Sequence, residues 1–220
     1  MACRKIMGNM LKEKLTAVLA TRNQGKIKEL EELLTAVQPD LKIIGLDRYP
    51  KIGDIPETGS TFEENARIKA VAVTHATGLL AVADDSGLVV PALNGEPGVY
   101  SARYAGPQAT DEENNRKLLR RMQHLSGDER RASFVSVLYA FAPGGQNIEV
   151  RGEWTGTILK EPRGRDGFGY DPLFYDPEIG LTAAQMNPSQ KNSRSHRGRA
   201  LAELMKHWDE FLRRIADNVS

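Results

Sequence analysis

The stretch LTAVLATRNQGKIKELEELLTAV, residues 15–37, is an apolar run that breaks into a polar turn and then a helical repeat. Leu15–Thr21 is short and apolar enough to be a buried strand. Ile27, Leu30, Leu34 and Val37 recur at helical spacing and predict a helix over 25–37. Working outward, Leu41–Leu46 reads as a second strand, and 47–59 as a loop punctuated by Pro50 and Pro56. Thr61 with Glu64 reads as a capping box and Gly78 as a stop, which predicts a helix over 62–77. Leu79–Ala83 reads as a strand ending in Asp84 and Asp85. Thr110 with Glu113 caps a further helix carrying Leu118, Leu119, Met122 and Leu125.

Ile148, Val150, Trp154 and Ile158 share one face of a run whose other face is Asn147, Glu149, Arg151, Glu153, Thr155 and Thr157. A period of two means one buried face and one wet face. Ala132–Ala142 precedes this run across Pro143–Gln146, so the pair reads as a hairpin. Leu201, Leu204, Met205, Trp208, Phe211, Leu212 and Ile215 form a C-terminal amphipathic helix, with Ser195 as its N-cap. Helices between strands early, then a hairpin, imply α/β or α+β with a mixed sheet. No composition break separates two independent domains, so 15–220 reads as a single domain and 1–14 as a flexible N-terminal extension.

Composition narrows the function classes. Lys and Arg number 30 and Asp and Glu 29, a net charge of +1 that is not built to coat nucleic acid or an acidic membrane. The lone cysteine, Cys3, allows no intrachain disulfide and no paired-cysteine metal site. The longest apolar runs fall far short of the roughly 20 residues a membrane-spanning helix needs. The basic start is not followed by a signal-peptide core, so the chain reads as cytoplasmic.

Five segments carry chemistry. Thr21, Arg22, Asn23, Gln24, Gly25 and Lys26 open a helix after a strand, where backbone N–H groups and a lysine suit phosphate; equally, the segment suits a polar turn that caps a helix. Thr61, Asn65 and Lys69, four apart, share one helix face, which is either functional or solvated. Asp84 and Asp85 sit at a strand end, where open α/β sheets bind ligands. Strand alternation sends only one of them into a site, while the other braces a loop. With Glu57, such a carboxylate makes an oxygen site for a hard ion such as Mg2+. GRDGFGYDP at 164–172 can bend sharply and offer an aromatic face to a flat ring, with a carboxylate beside it for a base N–H. Lys191, Arg194, His196, Arg197 and Arg199 place five donors in nine residues, a run that is either solvated or holds phosphate or a keto oxygen.

In this order the segments resemble the inosine triphosphate pyrophosphatase family of non-canonical purine nucleoside triphosphate pyrophosphohydrolases. The resemblance rests on LATRNQGKIKEL at 19–30, ETGSTFEENARIKA at 57–70, ADDSGLVVPALNGEPGVYSARYAG at 83–106, GRDGFGYDPLF at 164–174 and KNSRSHRGRAL at 191–201. Arg22 departs from it, standing where the family often has a smaller residue. The resemblance implies an α/β fold: a mixed, strongly twisted central sheet flanked by helices, in two lobes with a nucleotide cleft between them. It implies a homodimer that hydrolyses ITP, dITP and XTP to the monophosphate and pyrophosphate with Mg2+. By motif position, Thr21–Lys26 would contact the triphosphate and Ser86 the substrate. Asp85 would be general base and metal ligand, Glu57 a further ligand, and Asn65 and Lys69 would support the phosphates. Phe168, Gly169, Tyr170, Asp171, Lys191, His196 and Arg197 would hold the base. Three other readings compete: a nucleotide sensor without turnover, a single-stranded nucleic-acid binder, and a pyrophosphatase for modified pyrimidine nucleotides.

Overall fold

A computed structural model describes residues 15–218; the expected N-terminal extension, 1–14, lies outside them. In chain order the elements are β1 (Thr16–Leu19), α1 (Gln24–Val37), β2 (Lys42–Gly45), α2 (Phe62–Thr77), β3 (Leu80–Val89) and α3 (Asp111–Arg121). They continue with β4 (Arg131–Phe141), β5 (Asn147–Ile158), β6 (Phe174–Asp176), β7 (Leu181–Thr182), α4 (Pro188–Arg194) and α5 (His196–Asp217). Among the described residues, seven strands form one twisted sheet in the order β2-β1-β3-β4-β5-β6-β7. β1 runs parallel to both β2 and β3, whereas β5, β6 and β7 pair antiparallel, so the sheet is mixed.

The helix starts obey local chemistry. Asn23 caps α1 by accepting from Lys26 N at 3.1 Å. Thr61 caps α2 by accepting from Glu64 N at 3.1 Å, and Gly78 ends it in the left-handed region at φ 69°. Only half of the expected capping box is seen there. The Glu64 carboxylate accepts instead from Ser60 N and Ser60 Oγ, at 2.6 and 2.9 Å. Ser195 accepts from Gly198 N at 3.1 Å and so starts α5 as expected. α4 was missed by periodicity because it is short. Its signal is the Asn187 cap with Pro188 at the first helical position and Gln190 closing a capping box.

Two compact units divide the chain. Within the described residues the first holds 15–85, Val137–Val150 and 200–218, and the second holds Ser86–Ser136 and Arg151–Arg199. The first unit buries Ala17, Leu19, Leu80 and Val82 from the sheet with Leu30 and Leu34 of α1 and Leu204, Trp208 and Phe211 of α5. The second buries Leu88, Leu118, Met122, Phe134, Trp154, Tyr170 and Phe174. The alternation read in β5 is seen directly: Ile148, Val150, Trp154 and Ile158 are all buried.

One expectation is corrected. The strand read as ending at Ala83 runs on to Val89, so Asp84 and Asp85 lie inside β3 rather than at its end. What ends near them is the neighbour: β1 pairs with β3 only as far as Leu19 opposite Val82, with Ala20 N donating to Val82 O. The aspartates therefore stand past the carboxyl end of β1.

Candidate active site

β3 alternation sorts the two aspartates. Leu80 and Val82 face the cluster built with α1, and Asp84 shares their parity. Its Oδ2 lies 3.1 Å from Lys26 Nζ of α1. Asp85 has the opposite parity, and its Oδ1 accepts from Lys69 Nζ of α2 at 2.6 Å. Each buried carboxylate thus meets a lysine from a different helix. Asp84 thereby forms an ion pair with the first turn of α1.

Lys69 organises the cluster. Its Nζ donates to Asp85 Oδ1, to Glu57 Oε1 at 3.0 Å and to Asp84 O at 2.9 Å, three acceptors for three N–H bonds. Its side chain is only 8% exposed, so the face that it shares with Asn65 is not a solvated one. Burial, the largest single effect on Lys69, works to lower its pKa. The Asp85 and Glu57 charges, the Asp85 hydrogen bond and Asp84 outweigh burial, and Lys69 is held above 10.5 and charged. Burial raises the Asp85 carboxyl above its ordinary 3.8, against the opposing pull of Lys69 and Lys26.

Glu57 reaches this cluster because the chain enters α2 closely. Gly59 N donates to Asn65 Oδ1 at 2.8 Å. A Cβ at Gly59 would lie 2.6 Å from the Glu64 Cβ, so only glycine fits. Asn65 is fully buried, and its Nδ2 has no hydrogen-bond partner within the described residues. A buried donor without an acceptor costs about 1–3 kcal/mol, and an anionic oxygen brought to this face would remove that cost.

Glu57 Oε1 and Asp85 Oδ1 converge on one ammonium, so they are close enough to converge on one metal ion. No group of three or more His, Cys, Asp or Glu side chains gathers for a metal among the described residues. Two carboxylates fit Mg2+, which takes one or two of them and completes its shell with water and phosphate oxygens; they do not make a zinc or calcium cage.

In TRNQGK, Thr21 Oγ1 accepts from Asn23 N at 3.2 Å, and Gln24 and Gly25 form the first turn of α1. Arg22 is drawn to the 47–59 loop, donating to Ile52 O and lying 3.7 Å from Asp54.

The second unit gathers the remaining residues. Phe168 is half-buried, with Lys191 Nζ 5.2 Å and Arg197 Cζ 5.3 Å from its ring centre. Arg197 Nη2 donates to Ser86 Oγ at 2.6 Å. His196 is buried and stacks on Phe134 at 4.9 Å. Asp171 Oδ2 accepts from Lys191 Nζ at 2.7 Å and from Phe168 N at 2.9 Å, so it shapes the loop and places the lysine. Tyr170 does not join Phe168 as a ring platform; it is 4% exposed and donates to Ser101 O at 2.8 Å. The basic run divides by task. Arg194 pairs with Asp176 and Glu178, and Arg199 donates to Glu153 O, which leaves Lys191 and Arg197 beside Phe168. Reading by motif missed Asp111 and Asn115, which bond to Gly169; neither carries a local signal beyond a helix start.

Residues 17–207 match the model of the Ham1 family. The chain belongs to the Ham1 family. A relative from Nitratidesulfovibrio vulgaris, named dITP/XTP pyrophosphatase, is 50% identical over 91% of this chain and 99% of its own length. Another dITP/XTP pyrophosphatase, from Streptococcus thermophilus, is 47% identical over 86% of this chain but only 58% of its own length. Among solved structures, a HAM1 protein from Coxiella burnetii superposes with a TM-score of 0.80 at 45% identity, covering 89% of this chain and 99% of that one. All five segments that carry chemistry, from Thr21 to Arg199, fall inside the region matched to the Ham1 family.

Proposed function

We propose that this Ham1-family chain is a nucleoside triphosphate pyrophosphohydrolase. It hydrolyses dITP, ITP and XTP to the nucleoside monophosphate and pyrophosphate, with Mg2+, and so clears deaminated purines from the nucleotide pool. The observation that carries the reading is the convergence of Glu57 and Asp85 on Lys69, in a chain 50% identical to a dITP/XTP pyrophosphatase.

Water attacking a triphosphate meets concentrated negative charge. Asp85 orients and deprotonates that water; its raised pKa makes it a stronger base than an ordinary carboxylate. Lys69 and Lys26 offset charge on the departing pyrophosphate. Glu57 and Asp85 would hold Mg2+, which when bound neutralises phosphate charge and orients the chain of phosphates. The Asn65 amide and the Thr21–Lys26 turn support the remaining phosphate oxygens. In the second unit, Phe168 offers its ring to a purine, and Lys191 and Arg197 donate to a 6-oxo group. Adenine presents an amino donor there, so it would leave those donors unpaired, at about 1–3 kcal/mol each. Residues 15–220 are read as one catalytic domain; β3, β4 and β5 each contribute residues to both units. By family resemblance it acts as a cytoplasmic homodimer. No helix among the described residues is long and apolar enough to cross a membrane.

The test is pyrophosphate release with Mg2+ from dITP, XTP, dATP, dGTP, dCTP and dTTP, by wild type and Asp85→Asn. Wild type is expected to turn over dITP and XTP far faster than the standard four. The variant is expected to lose about 10²–10⁴-fold, the usual contribution of a general base. Binding of dITP without pyrophosphate release would replace the enzyme with a sensor. Turnover centred on modified pyrimidine nucleotides would replace the substrate class.

A further inference from the structure

The loop carrying Phe168 has little packing of its own. Residues 161–167 are all exposed, and Gly164, Gly167 and Gly169 sit at positive φ. A segment of this kind keeps a defined shape only where specific bonds hold it. The start of the loop is tied to the 172–184 stretch: Arg163 N donates to Pro172 O at 2.8 Å, Arg163 O accepts from Thr182 Oγ1 at 2.8 Å, and Asp166 N donates to Ala184 O at 3.3 Å. The end that carries Phe168 is held at two consecutive residues. Phe168 N donates to Asp171 Oδ2, and the backbone of Gly169 is gripped at both ends by α3. Gly169 N donates to Asp111 Oδ2 at 2.6 Å, and Asn115 Nδ2 donates to Gly169 O at 2.9 Å.

Asp111 and Asn115 are four apart and so share one face of α3. The acceptor and the donor are matched to the N–H and C=O of a single residue, Gly169, which sits at φ 62°. The helix beneath is firmly placed: Thr110 and Glu113 complete a capping box, and Leu118 and Met122 are fully buried. α3 is therefore a rigid base, and the two polar side chains connect it to the residue next to Phe168. We propose that Asp111 and Asn115 are positioning residues for base selection. They hold the Gly169 backbone and thereby set the Phe168 ring against Lys191 and Arg197. This role rests on the purine-recognising reading given above; neither residue touches the substrate.

Two measurements test it. The first needs no nucleotide. Arg165 is exposed on the loop, so trypsin cleavage after it reports how tightly the loop is held. Asp111→Ala/Asn115→Ala is expected to be cut about tenfold faster than wild type at an unchanged thermal midpoint. Asp111→Asn keeps an acceptor for the Gly169 N–H and is expected to restore protection. The second measurement is steady-state hydrolysis of dITP and dATP. The double variant is expected to raise KM for dITP about tenfold with kcat within about twofold, and to narrow the preference for dITP over dATP. Asp111→Asn is expected to recover the wild-type KM. Unchanged cleavage at Arg165 overturns the grip on the loop. Faster cleavage with an unchanged KM and an unchanged preference overturns the role in base selection. A wild type that hydrolyses no dITP overturns the enzymatic reading and that role with it, while the cleavage rates still decide whether α3 holds the loop.

Discussion

At the residue scale the charged side chains divide into those that build the second unit and those that build the candidate site. Asp176 belongs to the first kind. It is 1% exposed and accepts from Trp154 Nε1 at 2.8 Å, from Arg194 Nε at 2.6 Å and from Glu178 N at 2.9 Å. Burial works to raise its pKa, but these hydrogen bonds and the Arg194 charge hold it below 3.8. A carboxyl depressed by folding contributes stability that is fully present above its unfolded pKa. That contribution is lost as pH falls through the lower folded value. Asp176→Asn is therefore expected to destabilise the protein by about 2–3 kcal/mol at neutral pH, and the gap from wild type should close as pH drops below 3.8. Urea unfolding across that range checks it. A gap that stays constant with pH would mean that the Asp176 charge contributes nothing.

At the scale of elements, the entry into α2 is a tight joint in the candidate site. It brings Glu57 onto Lys69, twelve residues further along the chain, and Gly59 makes the approach possible by lacking a Cβ. Gly59→Ala would force the chain away from Glu64 and Asn65. The expected cost is about 1–3 kcal/mol, as for an overpacked core position, together with a fall in dITP turnover as Glu57 is displaced. Gly53 in the same loop is the control. Nothing lies within 4 Å of a Cβ built there, so Gly53→Ala should stay within about 0.5 kcal/mol of wild type. Thermal unfolding and pyrophosphate release on both variants separate the two. Equal behaviour would mean that the joint tolerates a side chain.

At the scale of the whole molecule, charge and sheet order bound what the protein can do. A net charge of +1 leaves little counterion release to be gained on a polyanion, and the basic run is already committed: Arg194 to Asp176, Lys191 to Asp171, Arg197 to Ser86. A single-stranded oligonucleotide is therefore expected not to inhibit dITP hydrolysis at physiological salt. An inhibition assay over a range of salt concentrations checks this. Strong, steeply salt-dependent inhibition would restore the nucleic-acid reading. The sheet contributes by order: β1 stops short beside a longer β3, and that difference in length leaves the two aspartates beyond the last β1–β3 pair, where lysines from α1 and α2 reach them.

Much of this was legible in the residues, because the signals involved act over a turn of helix or a pair of strand positions. Asn23, Thr61, Thr110 and Ser195 start helices by bonding three residues ahead. Alternation along 147–158 announced which side of β5 is buried, whatever that side packs against. The family resemblance was legible for a related reason, since its motifs are contiguous runs. What lay beyond the sequence was the choice of partner. That Asp84 takes Lys26 while Asp85 takes Lys69 follows from strand parity and from which helix covers each side of β3. The length of β3 was itself misread, because Ser86 and Gly87 look like a turn until neighbouring strands hold them extended. Asp111 and Gly169 stand 58 residues apart, and no local rule joins them. Local chemistry sets conformation within reach of a few bonds, whereas pairing between distant carboxylates, lysines and peptide groups depends on the path of the whole chain.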